Sequence, residues 1–235
     1  MFRYVFIVLA SLWAAIHLPA ATAATAATGD SPSQRVALRD VEQLHSEYGR
    51  QFLKYLIGCS LGADVLMEAD VDGVHYAFPG SLGLAPEWQK RSLTPEEERW
   101  VSACIYSRTN YFGTRVEISI TSPFPHESPN LQSLQEESAA YPVEDGVFFG
   151  NLFAPQPVAY VCGRNDSAER KAQLAAHKRI CALPLDKPLA DGRQVTACRF
   201  IYVGECSSDK FTQGGVTYKE AIRISLPQTP VTAKP

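Results

Sequence analysis

The chain has 235 residues, 22 Lys and Arg against 25 Asp and Glu, a net charge of −3, and 46% apolar against 20% charged residues. That balance excludes a disordered polyampholyte, a collagen-like repeat and a strongly basic nucleic-acid binder. The length suits one or two compact domains.

Arg3 precedes an apolar run over 5–16, too short to cross a bilayer, which takes ~20 residues. Pro19 ends the run, and Ala21-Thr22-Ala23 and Ala24-Thr25-Ala26 supply small-x-small cleavage sites. Residues 1–23 therefore read as a signal peptide, with a mature start at Ala24 or Ala27 and a secreted or periplasmic destination. Without those residues, which hold one basic side chain, the net charge becomes −4. Residues 24–35 are small and polar and read as a flexible arm, and no later stretch is apolar enough to span a membrane.

A helix is expected over 36–60, with a break near Gly49, its apolar face carrying Tyr48, Phe52, Tyr55, Leu56 and Cys59 at 3–4 spacing. Next, Val65, Met67, Ala69 and Val71 alternate with Leu66, Glu68, Asp70 and Asp72, and Asp72-Gly73 is a two-residue hairpin turn. Val74, Tyr76 and Phe78 alternate on the return. In that register Val71 faces Val74, Ala69 faces Tyr76 and Met67 faces Phe78, and Asp70 stands opposite His75 with Glu68 one step along. A second helix opens on a capping box, with Thr94 as N-cap, Pro95 at the first helical position and Glu97 three residues after the cap. Its stripe is expected to run through Trp100, Val101, Cys104, Ile105, Tyr111 and Phe112 and stop at Gly113.

Further on, Val116, Ile118 and Ile120 form a strand, and a Pro- and Ser-rich loop over 121–129 holds His126 and Glu127. A short helix is expected over 131–140. Residues 147–153 read as a buried strand with a bulge or turn at Gly150, and 158–162 as another strand. Asp166-Ser167-Ala168-Glu169 caps a helix reaching about Cys181. Strands over 196–203 and 221–226 and a flexible tail over 227–235 complete the chain.

All six cysteines, Cys59, Cys104, Cys162, Cys181, Cys198 and Cys206, lie beyond the leader. An even count in an exported chain reads as three disulfides. The nearest two, Cys198 and Cys206, are too far apart for a zinc C-x₂₋₄-C segment, and no C-x-x-C redox motif occurs. Two apolar helix faces, each with one cysteine, imply Cys59–Cys104. For the other four, a strand–helix–strand unit with parallel strands implies Cys162–Cys206 and Cys181–Cys198. The local pairs Cys162–Cys181 and Cys198–Cys206 are the alternative if 198–203 is not extended.

Two segments carry a resemblance. Trp100-Val101-Ser102-Ala103-Cys104 followed by Arg108-Thr109-Asn110, and Tyr141-Pro142-Val143-Glu144-Asp145-Gly146-Val147-Phe148-Phe149-Gly150-Asn151-Leu152-Phe153, resemble a pattern in secreted disulfide-containing bacterial proteins of unknown function. The resemblance spans roughly residues 45–206. It implies export and disulfides, no activity, and no catalytic residue.

Several side chains could carry chemistry. Asp70 beside His75 could orient a general base, yet the same pair is an ordinary cross-strand contact and no G-x-S-x-G nucleophile motif appears. Glu68, Asp70 and Asp72 could attract a cation, but a straight strand spreads alternate carboxylates ~6.6 Å apart, unlike a calcium loop that folds around its ion. His126-Glu127 lacks the rest of an H-E-x-x-H motif. Arg108 falls inside the stripe of the second helix, where it needs a carboxylate partner, with Glu144 and Asp145 as candidates. Arg164, Arg170, Lys171, His177, Lys178 and Arg179 read as a solvated helix face, and the acidic balance argues against nucleic acid.

The expectation is a single α+β domain over 36–226, with room for a subdivision near 155: a short hairpin and mixed strands packed with three to four helices and cross-linked by disulfides. No metal or cofactor is expected. The functional reading is a binding or structural module of the periplasm or cell exterior, meeting an extracytoplasmic ligand or protein. The alternative is a secreted hydrolase with His75 as base and Asp70 as its orienter.

Overall fold

A computed structural model describes residues 34–37, 42–124, 131, 139–164 and 167–228. The leader, the start of the arm, the end of the tail, His126, Glu127 and most of the helix expected over 131–140 lie outside the described residues. The chain is α+β and divides into two compact units, Met1–Glu97 and Glu98–Pro235, with the boundary inside a helix. All six cysteines are disulfide-bonded, the oxidised state that an extracytoplasmic globular protein holds.

In the first unit, strand β1 (Gln34–Ala37) pairs in parallel with β2 (Val65–Val71), and β2 pairs antiparallel with β3 (Val74–Pro79). Residues 34–37 are thus extended, and the helix expected from 36 starts later. Helix α1 (Glu47–Ser60) begins where the Ser46 hydroxyl accepts from the Gly49 N–H at 3.0 Å, and it runs through Gly49 without a break. Its buried residues are Leu53, Leu56, Ile57, Gly58, Cys59 and Ser60, so Leu56 and Cys59 of the expected face are enclosed, whereas Tyr48 is 82% exposed and Tyr55 is exposed too. The apolar face therefore sits about a quarter-turn from the aromatic one that the spacing suggested: tyrosine rings can remain in water, and the aliphatic side chains take the core.

The carbonyls at the end of α1, which lack intrahelical partners, are satisfied by the segment after β3. Leu82 N–H donates to Gly58, Leu84 N–H to Cys59 and Ala85 N–H to Ser60, at 2.8–3.1 Å. The hairpin has the register its alternation implies, from Val71↔Val74 to Leu66↔Pro79. Asp72 (φ 51°) and Gly73 (φ 78°) both take the left-handed conformation that a tight two-residue hairpin turn requires.

Helix α2 (Pro95–Arg108) opens on the capping box: Glu97 N–H donates to Thr94 Oγ1 at 3.2 Å and Thr94 N–H to Glu97 Oε2 at 2.8 Å. It ends at Arg108, one turn earlier than the apolar stripe suggests, so Tyr111 and Phe112 lie beyond it. Burial runs almost all round the helix, with Trp100, Val101, Ser102, Ala103, Cys104, Tyr106 and Ser107 all enclosed. Ser102 and Ser107 fit there because each hydroxyl bonds to a carbonyl of the preceding turn.

The second unit is built on a five-stranded mixed sheet in the order β4 (Ser119–Thr121), β10 (Ala221–Leu226), β5 (Val143–Asn151), β6 (Val158–Cys162), β7 (Ile201–Tyr202). The first three pairings are antiparallel and β6–β7 is parallel. Helix α3 (Ala168–Ala176) provides the crossover between β6 and β7. A small hairpin of β8 (Thr212–Gln213) and β9 (Val216–Thr217) stands apart from the sheet. One sheet face packs Val147, Phe149, Tyr160, Phe211, Tyr218 and Ala221 into an aromatic core.

Parallel pairing of β6 and β7 sets the C-terminal disulfides: Cys162–Cys206 at one end and Cys181–Cys198 at the other, each with a Cα–Cα distance of 5.0 Å. The strand expected over 196–203 shrinks to two residues. A turn over 196–199, with Arg199 at φ 67° and its N–H on the Thr196 carbonyl, places Cys198 outside the strand.

Central strand β5 holds a bulge, but not at Gly150. Gly150 pairs in register with Ala159 and is glycine because a Cβ would collide with the Val158 carbonyl. The register instead shifts between Ile224↔Gly146 and Ser225↔Glu144, which leaves Asp145 as the extra residue.

Candidate functional site

Three groupings of polar or aromatic side chains are candidates, one in the first unit and two in the second. On the hairpin, Asp70 and His75 are directly opposite across β2 and β3. His75 Nδ1 is 2.9 Å from Asp70 Oδ1, and Nε2 is 3.3 Å from Glu68 Oε1. A carboxylate accepts but does not donate, so both ring nitrogens must carry hydrogen for both bonds to form. Bonding to Asp70 and Glu68 accordingly raises the pKa of the imidazole above its ordinary value. The arrangement favours an imidazolium, and an imidazolium has no lone pair with which to take a proton. The ring is also 56% exposed. This geometry suits a cross-strand charge cluster better than a general base.

The second grouping is interior. Arg179 and Asp145 are 2% and 0% exposed, and the guanidinium gives two hydrogen bonds to Asp145 Oδ2, at 2.8 Å from Nε and 2.6 Å from Nη2. Nη2 also donates to the Ser107 carbonyl at 2.8 Å and Nη1 to the Thr109 carbonyl at 3.0 Å. Those carbonyls belong to the end of α2, whose orphan acceptors are capped by a side chain 72 residues away. Burial pushes the Asp145 carboxyl up, against the opposing pull of Arg179.

Two local irregularities make this cluster. At the end of α3, Lys178 adopts φ 57°, Lys178 N–H donates to the Ala175 carbonyl and Arg179 N–H to the Leu174 carbonyl. That is a Schellman ending with lysine where glycine is usual, and it turns the chain inward at Arg179. The bulge at Asp145 supplies the acceptor. Regular alternation would group Asp145 with Val147 and Phe149, but its partner Arg179 lies over the Phe148 ring, 6.0 Å from the centroid. The arginine read from the sequence as part of a solvated face is thus the buried one, and it is Arg179 that meets Asp145. Arg108, expected in that role, is half-buried at the end of α2, and Glu144 has Arg223 within 3.8 Å. The overlooked signal is the neighbourhood of Arg179, next to Ile180, Cys181 and Ala182 just past a helix end.

The third grouping stands above that clamp. Asn110 Oδ1 accepts from the Phe112 N–H at 2.9 Å, and its Nδ2 donates to the Thr114 carbonyl at 2.9 Å, closing a compact loop over 110–114. Tyr111 and Phe112 project from it, 47% and 50% exposed, edge to face with centroids 5.3 Å apart. The segments that carry the resemblance meet along α2, well before this loop. Ser102 Oγ accepts from the Leu152 N–H at 2.8 Å and Asn151 donates to Glu98 at 3.1 Å, latching β5 onto α2. Thr109 and Asn110 meanwhile anchor and shape the loop.

Among the described residues, no group of three or more His, Cys, Asp or Glu side chains is placed to hold a metal ion, and no helix is long and apolar enough to cross a membrane. No family model matches the chain, nor does any curated protein or solved structure.

Proposed function

We propose that the chain is an exported, disulfide-stabilised binding module of the periplasm or cell exterior whose contact surface is the aromatic loop over 110–114. The observation that carries this reading is the pair of half-exposed rings, Tyr111 and Phe112, on a backbone held by Asn110 from within and by Arg179 from below. Large exposed apolar side chains on a braced loop are the usual make-up of an interaction hot spot, because little order is lost when a partner arrives. The leader-like residues 1–23 and the full use of cysteines in disulfides support the compartment. The hydrolase alternative is disfavoured by the doubly engaged ring of His75.

The test is recovery of the protein from its own cell envelope under non-denaturing conditions, beside the variant Tyr111→Ser/Phe112→Ser. The expected native mass shows a retained partner with the parent chain and the bare chain with the variant. Equal masses for the two would overturn the assignment of the loop.

A further inference from the structure

We draw no further inference here: the strongest candidate, the outer edge of strand β3, which ends the three-stranded sheet and exposes His75 and Ala77, carries none because nothing in the structure shows what covers it.

Discussion

The hairpin of the first unit and the bulged strand of the second each bring a carboxylate to a cation, in opposite surroundings. His75 meets Asp70 in water on a sheet face, with the more covered Glu68 on its other nitrogen, and there solvent and salt screen the attraction and His75 and Asp70 are well hydrated without each other. Asp145 meets Arg179 with neither exposed, where each charge has lost its water and depends on the other. The difference teaches that an ion pair's importance to a fold is set by what would happen to the survivor if one partner left. On the hairpin the survivor rehydrates. In the interior it is stranded, and two helix-end carbonyls are stranded with it.

The largest effect should come from testing that difference directly. Arg179→Met leaves the Asp145 carboxyl and the Ser107 and Thr109 carbonyls without their donor and should lower stability by about 3–5 kcal/mol in denaturant unfolding. Adding Asp145→Leu should recover a large part of the loss, because a buried pair replaced by apolar groups is often neutral. A shift for Arg179→Met no larger than that for His75→Gln would erase the contrast between the two regions.

Next in size are the cross-links. We expect Cys59 and Cys104 to be joined, so that Cys59→Ala and Cys104→Ala each cost about 2–4 kcal/mol and the double variant is little worse than either. Peptide mapping of the unreduced protein should recover the two segments linked, and free alkylation of either cysteine in the folded protein would contradict the pairing. Smaller again are the helix caps, which separate local from long-range stabilisation. Ser46→Ala at α1 and Ser167→Ala at α3, each of which removes a hydroxyl acceptor from a first-turn N–H, should cost a similar ~1 kcal/mol in the two units. Unequal costs, read by thermal or chemical unfolding, would show that one cap has a tertiary role.

The smallest effect lies in the pH dependence of the exposed cluster. The folded-state pKa of His75 is raised by Asp70 first and Glu68 second, above the 6.5 of a free imidazole. Its contribution to stability is therefore full below pH 6.5 and is lost as pH rises through the higher folded value. An NMR titration of the ring should give a midpoint above 6.5, moved back toward it by Asp70→Asn. A midpoint at or below 6.5 would remove the argument that the ring is held as an imidazolium.

What was legible in the sequence follows the same division between local and distant causes. The hairpin, its register and the Asp70–His75 contact could all be read because alternation and an Asp-Gly turn lie within fifteen residues of one another. The Thr94–Glu97 capping box was visible for the same reason. The phase of α1 was not, since Tyr48, Phe52 and Tyr55 repeat as regularly as the aliphatic set and only the surrounding core decides which stripe is enclosed. The end of α2 was missed because Tyr111 and Phe112 continue the spacing past the point where Asn110 breaks the helix. Nor could Arg179 be identified: its partners are 34 and 72 residues away, and both the bulge and the lysine in a left-handed conformation break the rule by which side-chain direction is inferred.

Synthesis runs from the N-terminus, and residue 179 is the last to arrive of the groups its side chain joins. Until it is in place, the end of α2 has acceptors without donors and Asp145 has reason to stay in water, and the bulge waits longer still, for β10 to pair with β5. A chain interrupted anywhere before that residue would be left ajar, with the seam between helix and sheet open to water and to proteases. The clamp thus acts as a mid-line joint: one side chain ties the end of α2 to β5, and the register of β5 is closed only when the later β10 arrives.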